Sequence, residues 1–216
     1  MIILSDQFVG QRKETIKKFN VENRKLISRL VPKDPKSNEY KRFELTENGV
    51  SPMAIPGMKG GEYNCPGIEH NEYGAPTASY FSHEIMCKKR EKKLEGVLKD
   101  YDFIRRYGEK KADLGIIAWG STKGAVKETV ERAAGKGLKV AALVPQLIYP
   151  LQADEINKFV SECKKILVVE MSYSGQFMRY LKSSCDIPKD ALHLKMCGGK
   201  YIETIEILSK VEEVLK

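Results

Sequence analysis

Asp113-Leu114-Gly115-Ile116-Ile117-Ala118-Trp119-Gly120-Ser121-Thr122-Lys123-Gly124 is an apolar run that breaks on glycine and hydroxyl residues and then enters a helical-period segment. Residues 114–119 read as a buried strand, because a short continuous apolar run bounded by turn residues suits a strand covered on both faces. Beyond it Ala125, Val126, Thr129, Val130 and Ala133 recur at three and four, with Ser121 or Thr122 placed to cap the helix and Gly135 or Gly137 to end it. The same alternation continues to the end of the chain. Residues 138–144, 166–170 and 192–196 are further apolar runs, while Ile156, Phe159, Val160 and Cys163, then Phe177, Met178 and Leu181, then Ile202, Ile205, Leu208, Val211 and Leu215 form helical stripes. Strand alternating with helix implies an α/β domain over 110–216, a mostly parallel sheet with helices on both faces.

Residues 1–109 behave differently, as an irregular extended arm with connecting helices. Residues 1–4 suggest a strand, Ile16, Phe19, Leu26, Ile27 and Leu30 suggest one amphipathic helix, and 33–40 suggests an exposed linker. Ile85, Met86, Arg90, Leu94, Val97 and Leu98 predict a helix over 83–98. Between these lies 60–77, dense in glycine, acid, base and hydroxyl residues, with Pro66 and Pro76 fixing local direction. Such a stretch is too polar for a core and reads as an ordered loop presenting chemistry or as a solvated surface loop.

Within that loop Glu69, His70, Glu72 and Tyr73 have the groups for proton transfer, since imidazole titrates near neutrality and a carboxylate beside it tunes it; Thr77 adds a hydroxyl. Surface Glu-His pairs are also common without any role. Gly120, Ser121 and Thr122 open a helix at the carboxyl end of a strand, where free N–H groups favour an anion or simply complete a cap. The spacing is neither a dinucleotide fingerprint nor a phosphate-binding loop with Lys-Ser/Thr. Residues 170–176 form another strand-to-helix rim, with Ser174 as a candidate cap and Gly175 as a close-packing residue.

The net charge of +8 favours anionic partners, but lysines alternate with glutamates and lack the interleaved aromatics of a base-stacking surface, so nucleic acid is not expected. The longest apolar stretch is interrupted by Pro145 and Gln146, too short for a bilayer span. Five scattered cysteines without a signal peptide suggest reduced thiols and a cytoplasmic location. Cys65, His70, His83 and Cys87 offer a zinc donor set at a spacing that matches no common knuckle, whereas Cys163, Cys185 and Cys197 fall at core or strand positions and read as inert.

Taken in order, Ser5-Asp6-Gln7, Ser51-Pro52-Met53-Ala54-Ile55-Pro56-Gly57, Gly61-Glu62-Tyr63, the run from Gly67 to Thr77, His83 and Met86, the Lys89-Arg90 and Lys93 region, Trp119-Gly120-Ser121, Tyr149-Pro150-Leu151, and Glu170 with Tyr173-Ser174-Gly175-Gln176 form a specific series. The series resembles the carboxy-terminal part of the alpha subunit of 2-oxoacid:ferredoxin oxidoreductases, the 2-oxoglutarate synthase branch above all. The resemblance implies oxidative decarboxylation of a 2-oxoacid on thiamine diphosphate, acyl transfer to coenzyme A and electron transfer through iron–sulfur clusters to ferredoxin. It implies that 110–216 is similar to the transketolase carboxy-terminal domain, and that Glu69, His70, Asn71, Tyr73 and Thr77 lie at a substrate or coenzyme A edge. It also implies a beta subunit that holds diphosphate and Mg2+, with iron–sulfur clusters mainly on partner chains and no cofactor on this chain alone.

The chain departs from the family in having no thiamine-facing domain ahead of residues 1–4, no Gly-Asp-Gly metal motif, Cys65-Pro66 in place of small or hydroxyl residues, and Ser172 in place of Asn. It is therefore expected to be a split subunit or fragment that is inactive by itself. Two other readings stand beside that one: a noncatalytic assembly module that docks onto the remaining subunits, and a small zinc-binding module.

Overall fold

The computed structural model describes residues 10–11, 13–20, 22 and 28–216, excluding the Asp100 side chain. The expected strand at 1–4, the Ser5-Asp6-Gln7 motif, and Leu26 and Ile27 of the expected first helix lie outside the described residues. Residues 13–20 carry no helix, and Ile16 and Phe19 stand exposed. Their apolar spacing has no partner surface there, and an isolated short helix is marginal in water. The chain divides into two compact units: residues 16–101, and residues 1–15 together with 102–216.

In the α/β unit five strands, β1 (Ile104–Gly108), β2 (Ala112–Ala118), β3 (Val140–Pro145), β4 (Cys163–Met171) and β5 (Leu192–Met196), form one sheet in the order β1-β3-β2-β4-β5. β2 pairs parallel with β3 and β4, and β4 with β5, while β1 pairs antiparallel with β3 at the edge. The four expected strands are present; β1 was not legible, because Ile-Arg-Arg-Tyr-Gly buries only Ile104. An edge strand needs only one partner and tolerates charge.

Strand alternation divides the core into two layers. Leu114, Ile116 and Ala118 face the layer formed with Lys123–Ala134 and Thr204–Leu215, through Val126, Val130, Ile207, Leu208 and Val211. Ile117, Leu143 and Val168 face the layer formed with Ala153–Ser161 and Gln176–Ser184, through Ile156, Phe159, Phe177 and Leu181. Helices therefore cover both faces, as expected.

The other unit has one long helix, Tyr80–Asp100, which we call α1; the four helices above are α2 to α5 in chain order. Ser79 caps α1, its side chain accepting from the Ser82 N–H, so the helix begins a turn earlier than its apolar spacing indicates. Residues 28–79 hold no helix or strand and are fixed by side chains instead. The Tyr40 hydroxyl donates to the Pro52 carbonyl (3.0 Å) and accepts from the Ala54 N–H (2.9 Å), and the Ser51 hydroxyl donates to the Glu44 carbonyl (2.8 Å). Met86 on α1 is buried.

Candidate functional site

Three polar constellations stand out, two in the α1 unit and one at the sheet edge. The first is the loop 69–77, which closes on itself: the Thr77 N–H donates to the Glu69 carbonyl (3.0 Å), the Asn71 N–H to the Ala75 carbonyl (3.0 Å), and the Gly74 N–H to the Asn71 carbonyl (3.0 Å). Asn71 Oδ1 accepts from the Tyr73 and Ala75 N–H groups, an arrangement only a short amide or carboxylate side chain provides. His70 packs its ring 3.9 Å from the Phe43 ring and bonds through Nδ1 to the Asn71 carbonyl (3.0 Å). A carbonyl only accepts, so Nδ1 carries a proton. Glu72 accepts from Lys41 Nζ (3.3 Å) and the Leu45 N–H (3.0 Å), anchoring the loop to residues 41–45. Tyr73 is exposed, and Thr77 Oγ1 accepts from the Ser79 N–H (3.2 Å).

Glu69 points to α1, where His83 Nδ1 lies 2.5 Å and the Arg90 guanidinium 2.9 Å from its carboxylate. Arg90 first and His83 second hold its pKa down to about 2. At neutral pH Glu69 is an anion that orients neighbours and is not a proton donor. Cys87 Sγ lies 3.7 Å from His83 Nε2 and 3.6 Å from Arg90. Glu69, His83 and Cys87 thus bring one donor each within 4.8 Å of the others. Cys65 and His70 do not join that group; helical spacing i, i+4 brings His83 to Cys87, but the loop delivers Glu69 in place of the other two.

The second constellation is a cleft of ≈ 260 Å³ beside α1, with Arg42, Lys89, Arg90 and Lys93 among its lining groups. Gly49 (φ +74) makes the wall possible, since a Cβ there would lie 2.6 Å from the Lys89 carbonyl oxygen. Lys89 Nζ donates to the Gly49 carbonyl (3.0 Å), and burial first, then Lys93, Arg42 and Arg90, pushes its pKa down. Arg42 lies over the Phe43 and Tyr63 rings, at 5.0 and 5.6 Å, with its buried Nε unpartnered. By charge alternation alone residues 88–93 suit a solvated face, whereas Lys89-Arg90 and Lys93 also belong to the family-like series. Lys89 and Lys93 fall three and seven residues after buried Met86, which puts them along one helix face, Lys89 half-buried and Lys93 exposed.

The third lies at the carboxyl edge of the sheet, at the end of the central strand β2, where the strand order reverses between β3 and β4. Gly120–Thr122 is a 3-10 turn, Gly120 is exposed, and Thr122 is buried with its hydroxyl donating to the Trp119 carbonyl (2.8 Å). Thr122 holds the N-cap position of the following helix but, contrary to expectation, makes no side-chain cap bond, its hydroxyl being spent on the Trp119 carbonyl, and Ser121 is half-buried. At the neighbouring end of β4, Glu170 is 1% exposed and accepts from the Phe177 N–H (2.9 Å), the Met178 N–H (3.0 Å) and His193 Nε2 (2.8 Å). The Ser172 hydroxyl, not Ser174, receives the Gly175 and Gln176 N–H groups, because Gly175 is left-handed (φ +70) and turns the chain back over Ser172. Gly175 does pack closely: a Cβ there would lie 2.5 Å from His193 Cε1. His193 was not anticipated; Leu-His-Leu looks like ordinary strand.

Cys163 and Cys185 are withdrawn into the fold, and burial pushes both thiols up to about 11. Cys197 is exposed, contrary to the expected inert position, because β5 ends at Met196 and the chain turns outward. Cys65 is also exposed. Among the described residues no set of cysteines groups as cluster ligands, the one three-donor group being Glu69, His83 and Cys87. No helix among the described residues is long and apolar enough to cross a membrane.

An α/β unit with a mostly parallel sheet, a polar carboxyl edge and an attached polar-loop unit defines the class of chain. Residues 112–207 match the family model for pyruvate:ferredoxin oxidoreductase core domain II. The chain is a relative of the alpha subunits of 2-oxoacid:ferredoxin oxidoreductases. It is 26% identical over 220 residues to 2-oxoacid:ferredoxin oxidoreductase 2, subunit alpha, of Aeropyrum pernix, covering 100% of this chain and 34% of that one. It is 25% identical over 202 residues to 2-oxoglutarate synthase subunit KorA of Methanocaldococcus jannaschii, covering 93% of this chain and 52% of that one. Among solved structures it superposes, with a TM-score of 0.82 and 36% identity, on 2-oxoglutarate:ferredoxin oxidoreductase from Magnetococcus marinus with 2-oxoglutarate, coenzyme A and succinyl-CoA bound; 89% of this chain and 33% of that one are covered. The chain spans about a third of the length of the first of these relatives.

Proposed function

We propose that this chain is an alpha-subunit portion of a 2-oxoacid:ferredoxin oxidoreductase, of the type that acts on 2-oxoglutarate, and that it works only in assembly with companion subunits. The observation that carries the reading is the 0.82 TM-score at 36% identity over 89% of the chain. The complete enzyme decarboxylates the 2-oxoacid, passes electrons to ferredoxin and delivers the acyl group to coenzyme A. Residues 16–101 serve as the arm that bears the polar loop, and 102–216 as the transketolase carboxy-terminal-like domain, its start earlier than the expected residue 110 because β1 joins the sheet.

Thiamine diphosphate, Mg2+ and iron–sulfur clusters belong to partner chains in this reading, the beta subunit foremost. The donors here do not make a cluster ligand set, since among the described residues only Cys87 joins a three-donor group, with Glu69 and His83, and the sequence has no Gly-Asp-Gly metal motif. This chain contributes positioning. His70, Asn71 and Glu72 hold the loop rigid, which leaves Tyr73 and Thr77 at its rim to meet substrate or coenzyme A. Glu69 braces the loop against α1, and Gly120, Ser121 and Thr122 offer an anion-facing turn at the sheet edge. The assembly is cytoplasmic, with 2-oxoacid, coenzyme A and ferredoxin as its anionic partners.

Reconstitution with the companion subunits tests this. 2-Oxoglutarate- and coenzyme A-dependent reduction of ferredoxin is expected in the complex and not in the isolated chain. Tyr73→Ala and Thr77→Ala are expected to lower turnover with assembly intact. Loss of assembly in those variants favours a docking role, and an assembled complex that fails to reduce ferredoxin with any 2-oxoacid overturns the reading.

A further inference from the structure

We propose that the cleft beside α1 is a built anion site that takes a phosphoryl group, through Arg42, Lys89 and Lys93. Four cationic side chains line ≈ 260 Å³ of space, yet only Arg90 among them is matched by a carboxylate, that of Glu69. Among the described residues no carboxylate pairs with Arg42, Lys89 or Lys93, and the neighbouring Glu72 is already held by Lys41 and the Leu45 N–H.

Like charges brought together around a partly dry space repel one another, and the depressed pKa of Lys89 records burial first and that repulsion second, partly offset by Glu72. Arg42 adds a second, independent sign: its guanidinium is held over two aromatic rings, and Nε is buried with no acceptor. Buried donors ordinarily find partners, so leaving Nε shut away without one is a cost of holding this guanidinium over the rings beside the cleft. A planar guanidinium with two ammonium groups suits the several oxygens and multiple charge of a phosphate better than a single carboxylate. The Ser51 side chain and His70 also line the cleft and supply a polar floor. The apolar contributions of Phe43, Val50 and Met86 keep part of it dry, which strengthens each charge contact.

The site stands apart from the catalytic reading above, since it requires only this chain. Calorimetry and amide-nitrogen NMR of the full chain with inorganic pyrophosphate test it, with succinate as a dicarboxylate control and adenosine diphosphate to separate esterified from free phosphate. Pyrophosphate is expected to bind, to shift the amides of Gly49, Met86 and Lys89, and to weaken as salt rises. Arg42→Gln and Lys93→Gln are each expected to weaken it about tenfold, the loss of one charge-assisted contact. Lys88→Gln, at an exposed position paired with Glu84, is expected to change nothing. Lys93 is exposed, so its variant keeps the fold even if Arg42→Gln does not. Binding of pyrophosphate alone assigns the cleft to free phosphate, and binding of adenosine diphosphate as well assigns it to phosphate esters. Failure of pyrophosphate to bind, equal binding of succinate, or binding indifferent to both variants overturns the proposal.

Discussion

Replacing Glu170 by alanine removes the acceptor on which three donors converge at the carboxyl end of β4. Two of those are the Phe177 and Met178 N–H groups, which open α4 and have no carbonyl a turn earlier to receive them. The third is His193 Nε2 on the adjoining strand β5. Leaving a buried donor unsatisfied costs roughly 1–3 kcal/mol, and loss of a helix cap about 1–2 kcal/mol. Water reaching the new cavity offsets part of this, so Glu170→Ala is expected to destabilise the α/β unit by about 3–5 kcal/mol, the scale of breaking a buried charged pair. Against a typical domain stability of about 5–15 kcal/mol, that is a third or more of the total.

Glu170→Gln keeps the shape and one acceptor oxygen. Its NH2 faces a backbone donor in either orientation, the Phe177 N–H or the Met178 N–H, so one donor loses its acceptor and about 1–3 kcal/mol is expected. The assay is available without labelling, because Trp119 is the sole tryptophan and its ring lies 5.8 Å from that of Phe177, in the first turn of α4. Urea titration followed by Trp119 fluorescence reads the α/β unit, and hydrogen exchange at Phe177 and Met178 reads the cap. An alanine variant within about 1 kcal/mol of the parent, or a glutamine variant as costly as alanine, refutes the reasoning.

Two other consequences are open to measurement. Glu69 is depressed from 4.5 to about 2 in the folded chain, so its support of the loop is fully present above pH 4.5 and is lost as pH falls through the folded value; carboxyl NMR is expected to show it titrating near 2, and Glu69→Gln to abolish this step in acid unfolding of the 16–101 unit. Maleimide labelling at neutral pH is expected to reach exposed Cys65 and Cys197 first, and Cys163 and Cys185, with thiols pushed up to about 11, only after denaturation; prompt labelling of Cys163 counts against the fold.

Much of the α/β unit was legible because its periodicities are strong. The expected strand at 192–196 coincides with β5, and the other three expected strands lie within two or three residues of theirs. The helices followed from stripes that are largely buried, such as Ile156 with Phe159, although Ile205 stands exposed and Cys163 belongs to β4 rather than to the helix before it. What failed failed where local pattern is weak. β1 is recognised only by its pairing with β3, and the expected first helix does not form at 13–20, where its apolar residues find nothing to cover them. The chemically suggestive loop was also located correctly as ordered and polar, but the roles within it were not separable by eye. His70 and Asn71 spend their polar atoms on the loop itself, while Glu69 spends its carboxylate on α1.

By itself the order of residues determined the alternating strands and helices, the core stripes, the polar loop and the family likeness, all of which are encoded in short-range spacing. The tertiary structure alone decided which charges meet. Arg42 meets Lys89 and Lys93 at one cleft across more than forty positions, Glu69 pairs with His83 and Arg90 on α1, and Glu170 finds His193 on the next strand. Electrostatic and hydrogen-bonding partners depend on distances of a few ångströms between segments far apart in the chain, and no local period carries that information.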